Sequence, residues 1–483
     1  MSLDPPFEGP TPDLTASAQA ATFAARLDAA DLPDWVHDKI ALHVLDGIGC
    51  GLAGADTELV ARVLDVLALE HGPGPCPVLG TSRSLPAGAA AFANATAINA
   101  LDFDDGYEVA GTGMGHPGAS IVAAALSAAS TTPTTGATFL AAVAAGYEIN
   151  DRLIEAMQPS HDRFRQVYGV GQHQSVGAAI ACGRIFGLDP AAMANVLGFA
   201  GTLACVPSLR KYNWERRPLV SLKDFVAPAA EAGMRAVRWH QAGLTGAHAV
   251  LDGDGGLWRM LGSDRFDAAR FRAGLGTDWR LRDNAFKAYP ACRWMHPVLE
   301  AFAATSGRIG WPPDAIAAVV VHGSSTLVRD FMDPAPATMV DAQFSLPYTL
   351  AALAHGLAPA AAWYAPTTLE RPDLRAFARR VRAEIDPELD ALMSGPSRRP
   401  AGRVEVVVAG ARHVSPPITF PLGGAERPLA PADVLAKFRA NAGPVVGQTA
   451  AERLATRLLH LWAEPDVAAL VRTCGGPGFA AEG

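Results

Sequence analysis

Residues 34–48 read DWVHDKIALHVLDGI. Val36, Ile40, Val44 and Ile48 recur at steps of four, which sets them along one face of a helix. Pro33 stands just before, and Asp34 is placed to act as the N-cap ahead of Trp35. The same grammar runs outward in both directions. A helical run begins near Leu14, behind an acidic, proline-rich tail over residues 1–13. Downstream, helical runs are expected over Ala87–Ala100, Gly118–Ser130, Gly136–Ala156, Ser175–Phe186, Pro190–Leu203 and Pro228–Ala242, each bounded by Gly, Pro or Asp. Much of the apolar content is alanine, which favours closely packed helices.

The pattern changes near residue 280. Ala315–His322 (AIAAVVVH) and Arg403–Ala409 (RVEVVVA) are β-branched runs with turn residues on both sides. Pro417–Leu422 (PITFPL) resembles a short edge strand, because its prolines cannot donate to a ladder. Between them an amphipathic helix opens at Asp373 and presents Leu374, Phe377, Ala378, Val381 and Ile385 on one face. Helical periodicity returns over Pro431–Ala442 and Ala450–Ala463. The expected fold is mainly α: a large all-helical domain made of residues 1–279 and 427–483, with an inserted smaller α+β lid domain over residues 280–426. Such a boundary is a common place for a small-ligand cleft.

The 483 residues are 49% apolar and 18% charged, with a net charge of −8 and a pI near 5.9. A chain this long is expected to hold two domains. No cluster of Lys and Arg is dense enough to track phosphates, which argues against nucleic acid as a partner. The six cysteines form no CxxC pair and read as reduced, buried residues. The N-terminus has neither the basic start nor the apolar core of a signal peptide. The apolar stretches are too short to span a bilayer. A soluble, cytoplasmic protein is expected, with no membrane partner.

Four segments could carry chemistry. Leu101–Ser120, LDFDDGYEVAGTGMGHPGAS, crowds Asp102, Asp104, Asp105, Glu108 and His116 into a Gly-rich stretch between two helices. Carboxylates so close need partners or raised pKa values. His116-Pro117 opens the next helix, whose dipole would lower an imidazole pKa and attract carboxylates. Gly113–Gly118 matches GxGxxG, but no preceding strand or βαβ unit is expected, so a dinucleotide site is not indicated. Gln166–Gly177 offers Tyr168 and His173. Ser208–Glu231 concentrates Arg210, Lys211, Arg216, Arg217 and Lys223, the local positive charge an acidic protein needs to bind a polyanion. Phe286–Pro297, FKAYPACRWMHP, combines Lys287, Tyr289, Arg293 and His296. No HExxH and no zinc or iron–sulfur spacing is present, so no metal site is expected, and there is neither a P-loop nor a nucleophile elbow.

Taken in order, these segments resemble the MmgE/PrpD family. The likeness runs through LDGIGCGLAG (Leu45–Gly54), NATAINALDFDD (Asn94–Asp105), GHPGASI (Gly115–Ile121), GRIFGL (Gly183–Leu188), LKDFVAPAAEAG (Leu222–Gly233) and GLTGAHAVLDGDGG (Gly243–Gly256). It continues through FKAYPACRWMHP, DAQFSLPYTLAAL (Asp341–Leu353) and PLG…VLAKF (Pro421–Phe438). The resemblance implies a homodimer without metal or organic cofactor, and an active site between the domains. It implies a lyase acting on a small polycarboxylic acid through a carbanion next to a carboxylate. Dehydration of a 2-hydroxy polycarboxylate, as in 2-methylcitrate dehydratase, stands first. Decarboxylation, as with cis-aconitate, or epimerisation is the alternative, and a metabolite-binding homologue without activity is the alternative of another class.

By the same resemblance, Asp102, His116, Lys223 and His296 occupy the family's catalytic positions. His116 is expected as the leading acid or base, oriented by Asp102, with His296 as a second proton carrier. Tyr168 stands where many relatives have histidine and is expected as a substitute proton donor. Arg293 and Lys287 are expected to bind substrate carboxylates, joined by His173 and Tyr107. Tyr107 and Glu108 stand where many relatives carry another histidine.

Overall fold

The computed structural model describes residues 15–164, 166–167, 173–205 and 216–476. The helical body is built from α1 (Ala16–Arg26), α2 (Asp34–Gly54), α3 (Glu58–Glu70), α4 (Ala87–Asn99), α5 (Pro117–Ala129), α6 (Gly136–Ala156), α7 (Gln174–Ile185), α8 (Pro190–Thr202) and α9 (Val226–Gln241). Local chemistry sets several ends. Thr135 caps α6 by accepting from the Thr138 amide, and Asp189 caps α8 by accepting from Ala192 ahead of Pro190. Asp34 is not a cap: it is the first residue of α2, and Pro33 holds the cap position.

α5, α6 and α7 pack side by side, and α9 lies across α4 and α7. Alanine and glycine make this spacing possible. A Cβ on Gly233 of α9 would come within 2.7 Å of the Ala178 backbone in α7, and one on Gly54 of α2 within 2.0 Å of the Ala97 carbonyl oxygen in α4. α5 is buried along its whole length, so its sequence shows no polar face. Among the described residues, no helix is long and apolar enough to cross a membrane.

The body is mainly helical but not wholly so. β1 (Cys76–Pro77) pairs with β2 (Ser84–Leu85). The Gly-rich stretch after α4 forms a hairpin of β3 (Gly106–Val109) and β4 (Thr112–Gly115), and β3 also pairs with β5 (Asn284–Ala285). The hairpin turn places Ala110 and Gly111 at φ of 50° and 79°, the left-handed pair of a two-residue turn.

Beyond residue 290, α10 (His296–Ile309) packs on a four-stranded sheet ordered β7-β6-β8-β9. Its strands are β6 (Ile316–Gly323), β7 (Val381–Ile385), β8 (Gly402–Val408) and β9 (Ala411–Val414), with β6 and β7 parallel and the other pairs antiparallel. The helix expected to run from Asp373 through Ile385 stops at Ala378, and Val381–Ile385 is the edge strand β7. Pro417–Leu422 is not a strand; only a single bridge joins Ile418 to Gly402. The chain then returns as α11 (Pro431–Val446) and α12 (Gln448–Leu459), which pack against α2 in the helical body.

Candidate active site

The site begins where α4 ends. Asp102 takes a left-handed conformation, φ 53°, which a short polar side chain tolerates better than most. The turn it makes leaves the Asp102 and Phe103 carbonyls outside any ladder, and a lysine takes each. Lys287 Nζ donates to Asp102 O at 2.9 Å, and Lys437 Nζ to Phe103 O at 2.6 Å. Asp105 then anchors the start of α5. It accepts from the Gly118 amide at 2.9 Å and the Tyr147 hydroxyl at 2.6 Å, and lies 2.8 Å from Nδ1 of the buried His43. A Cβ on Gly118 would meet the Tyr147 hydroxyl and the Asp105 carboxylate at 2.5–2.6 Å, so this contact requires glycine.

This anchoring delivers His116, the residue before Pro117 at the head of α5. Its Nδ1 lies 3.0 Å from the Asp105 carbonyl and 3.3 Å from Asp104 Oδ2. Its Nε2 faces Asp224 Oδ2 at 3.8 Å, beyond hydrogen-bond reach, and the side chain keeps 16% of its surface exposed. Two corrections follow. Asp104, not Asp102, orients His116. The helix terminus also does not set its pKa. Burial and the Lys287 ammonium push it down, but Asp104 and Asp224 outweigh them, and it ends above the usual histidine value. The two carboxylates thus favour the imidazolium form of His116.

Lys223 arrives on a single turn just before α9, where Asp224 and Phe225 are both left-handed, φ 62° and 55°. Its ammonium donates to Asp102 Oδ1 at 2.8 Å, Asn99 Oδ1 at 3.1 Å and Asp224 Oδ2 at 3.1 Å. Lys287 adds a second cation 3.1 Å from Asp102 Oδ1. Burial alone would raise the Asp102 pKa, but Lys223 and Lys287 hold it far below the usual carboxylate range. Burial would likewise lower Lys223, and Asp102 and Asp224 push it up instead. Asp104 is held low against burial by His116. Asp102 and Asp104 are thus stabilised by cations and not by protonation. Asp102 Oδ2 is buried without a hydrogen-bond partner, which leaves an acceptor for a ligand proton. A shallow pocket lies against Asn99, Leu222, Lys223 and Phe225.

Asp102, Asp104 and His116 each place one ligating atom within 4.8 Å of the others. The ammonium groups of Lys223 and Lys287, 2.8 and 3.1 Å from Asp102 Oδ1, occupy the field a cation would need.

The other expected residues divide. Arg293 is not free to bind a carboxylate. Its guanidinium forks onto Glu108, Nη1 donates to the Leu422 carbonyl at 2.7 Å and contacts His296 Nδ1 at 3.2 Å, and Nη2 reaches the Pro421 carbonyl at 3.3 Å. His296 is 1% exposed, with Nε2 3.1 Å from the Ala291 carbonyl. Burial, then Arg293 and Lys287, hold its pKa well below the usual value, so it stays neutral with both nitrogens engaged. Lys287 is spent on Asp102. Tyr107 is fully buried, its hydroxyl bonded to Glu155, which also pairs with Arg270 at 2.8 Å. That places Tyr107 in a structural ion network. His173 is 3% exposed, and burial lowers its pKa to about 3; its Nε2 has no hydrogen-bond partner. Tyr168, Arg210 and Lys211 lie outside the described residues. Arg217 binds Asp341 at 3.0 Å and the Phe344 carbonyl at 3.1 Å.

The sequence reading did not single out Asn99 or Asp224. Asp224 adjoins Lys223, and the pair is legible only once the left-handed turn aims both side chains at Asn99. Asn99 lies in the N-A-L-D-F-D-D stretch, where an asparagine near a helix end reads first as a cap.

Comparison with known proteins agrees with this architecture. The model of the MmgE/PrpD N-terminal domain matches residues 18–268, and that of the MmgE/PrpD C-terminal domain matches residues 289–461. Among curated relatives, cis-aconitate decarboxylase of Aspergillus terreus is 25% identical over 95% of this chain and 96% of its own length. Cis-aconitate decarboxylase of Mus musculus is 25% identical over 92% of this chain and 90% of its own. That of Homo sapiens is 24% identical over 95% and 94%. With both domain models matched in order along the helical body and the sheet-bearing unit, the chain belongs to the MmgE/PrpD family.

Proposed function

We propose that this protein is a lyase that decarboxylates a small unsaturated polycarboxylic acid of the cis-aconitate kind. The observation that carries the reading is His116. It is partly exposed, faces Asp104 and Asp224, which favour its charged form, and its Nε2 is not locked in a hydrogen bond. Loss of carbon dioxide needs an acid at that point. The bond from carbon to the departing carboxyl breaks, and its electron pair moves into the adjoining alkene–carboxylate system. The carbon that gains the charge takes the Nε2 proton of His116, and the neutral imidazole regains a proton from solvent. Lys223 stabilises the negative charge that spreads onto the remaining carboxylate. Its contacts with Asp102 and Asp224 keep the ammonium charged and in place before substrate arrives. The names of the full-length relatives support decarboxylation over dehydration.

Dehydration of a 2-hydroxy acid, the outcome first expected from sequence, needs a resting base to take an α-proton. His116 is biased towards its protonated form, and Asp102, held far below the usual carboxylate range, is a weak base. The test is a substrate panel on chelator-treated protein, with cis-aconitate, 2-methylcitrate and related di- and tricarboxylates. Release of carbon dioxide from cis-aconitate is the expected result. Alkene formation from 2-methylcitrate without carbon dioxide would replace this reading with dehydration. Proton exchange alone would indicate epimerisation, and inertness towards the whole panel a binding role.

A further inference from the structure

We propose that Lys437, from helix α11, is a positioning residue for the reaction: by gripping the Phe103 carbonyl it fixes the turn that carries Asp102 and Asp104. The proposal rests on the reading of His116 as proton donor. Lys437 does not line the pocket against Asn99, Lys223 and Phe225. Its Nζ lies 2.6 Å from Phe103 O, 2.8 Å from Asp46 Oδ1 and 4.1 Å from the centre of the Phe103 ring. The side chain is 7% exposed, and Asp46 is 1% exposed. Among the described residues, Asp46 on α2, the Phe103 ring and the Phe103 carbonyl make the direct contacts to this ammonium, and Cys50 and Asp104 act on it from further away.

A lysine is a costly way to fill a core, because its charge must be matched wherever it is buried. Packing alone would be served by methionine or leucine. What the ammonium adds is a bond to one particular backbone oxygen. That oxygen belongs to the residue between Asp102, which holds Lys223, and Asp104, which holds His116. The preceding carbonyl, Asp102 O, is held by Lys287. Successive carbonyls of a left-handed turn are therefore clamped by lysines from distant parts of the chain. Removing one clamp lets the Phe103 peptide rotate, and the side chains on either side move with it. A shift of 1 Å in such a group costs on the order of 100-fold in rate.

Lys437→Met alone would leave Asp46 buried without its cation, so the informative variant is Lys437→Met in an Asp46→Asn background. Asp46→Asn by itself removes the ion pair and keeps the grip on Phe103. The measurements are kcat and KM on cis-aconitate, and the titration of His116 followed by NMR of labelled histidine. Relative to Asp46→Asn, the double variant is expected to lose roughly 10- to 100-fold in kcat with little change in KM. Its His116 titration is expected to move to lower pH as Asp104 drifts away. Lys437→Arg, which keeps a donor and a charge, should recover part of the rate. A double variant matching Asp46→Asn in kcat and in His116 titration would overturn the proposal. So would Asp46→Asn losing as much as the double variant. If the unaltered protein does not turn over cis-aconitate, the function reading fails separately. The His116 titration then decides the role of Lys437: a downward shift supports the grip, and an unshifted curve overturns it.

Discussion

His116 and His296 each precede a proline at the head of a helix, so their local sequences read alike. His116 is partly exposed, faces Asp104 and Asp224, and is driven towards the charged form. His296 is sealed, sits beside Arg293 and Lys287, and is driven towards the neutral form. The helix terminus is common to both and is worth about 0.3–1 kcal/mol at the surface. It therefore cannot decide between them. The neighbours brought in from other segments decide, and these are the part of the site a local motif does not show.

The strongest way to break this contrast is to change each ring in turn. His116→Gln should lower kcat by roughly 10²- to 10⁴-fold and also lower the melting temperature, because the buried Asp104 loses its cation. His296→Gln should lower the melting temperature but leave kcat within about tenfold, since its ring holds Arg293 and the Ala291 carbonyl and moves no proton. Steady-state kinetics and melting curves on both variants suffice. Equal losses of kcat would dissolve the distinction.

A second pair sharpens the boundary between the cleft and the packed interior. Lys223→Met removes the charge that pairs with Asp102 and Asp224. It should abolish turnover and cost about 3–5 kcal/mol in denaturant unfolding, because buried carboxylates lose their partner. Tyr107→Phe removes only a hydroxyl from a Glu155 that keeps Arg270 and Arg280. The expectation is a stability loss of about 1–2 kcal/mol and unchanged kcat. A raised KM in Tyr107→Phe would instead restore Tyr107 to substrate binding.

The smallest effect is the dependence on pH, and the two histidines give opposite signs. The His116 pKa is raised. Its contribution to stability is full below the unfolded value near 6.5 and is lost as pH rises through the folded value. Activity that needs its proton should fall on the same alkaline limb, with a midpoint above 6.5. The His296 pKa is depressed. Its contribution is present above about 6.5 and is lost as pH falls below that, by up to about 1.4 kcal/mol per pH unit. Urea unfolding between pH 5 and 7 should therefore show a shallower slope in His296→Gln than in the unaltered protein.

The helical body was legible because its segments are long, periodic and punctuated: the expected Gly136–Ala156 run is α6 as printed in the sequence. What was not legible had weak local signals. In the hairpin β3–β4 the turn residues are Ala110 and Gly111, without the Asn or Asp that usually announces a left-handed turn. Over 373–385, Leu374, Phe377, Ala378, Val381 and Ile385 satisfy a helical spacing, yet the chain leaves the helix at Arg379 to pair Val381–Ile385 with β6. A five-residue edge strand with one buried side chain offers no alternation strong enough to contradict the helix. In the site, the resemblance led to Asp102, His116 and Lys223, which the fold gathers. It could not show that Arg293 is consumed by Glu108, or that Asp104 replaces Asp102 beside His116, because those depend on where the hairpin and the Asp102 turn send their side chains.

Asp102, Asp224 and Phe225 all hold left-handed backbones beside the site, and for Phe225, which lacks the short polar side chain of the two aspartates, that conformation costs about 1–2 kcal/mol. A search for thermostabilising substitutions that ranked positions by backbone strain would select Phe225 early, and Phe225→Gly would relieve the strain directly. It would also free the peptide that aims Asp224 and Lys223 at Asn99. At this short stretch the most durable form of the molecule and its most active form are different sequences.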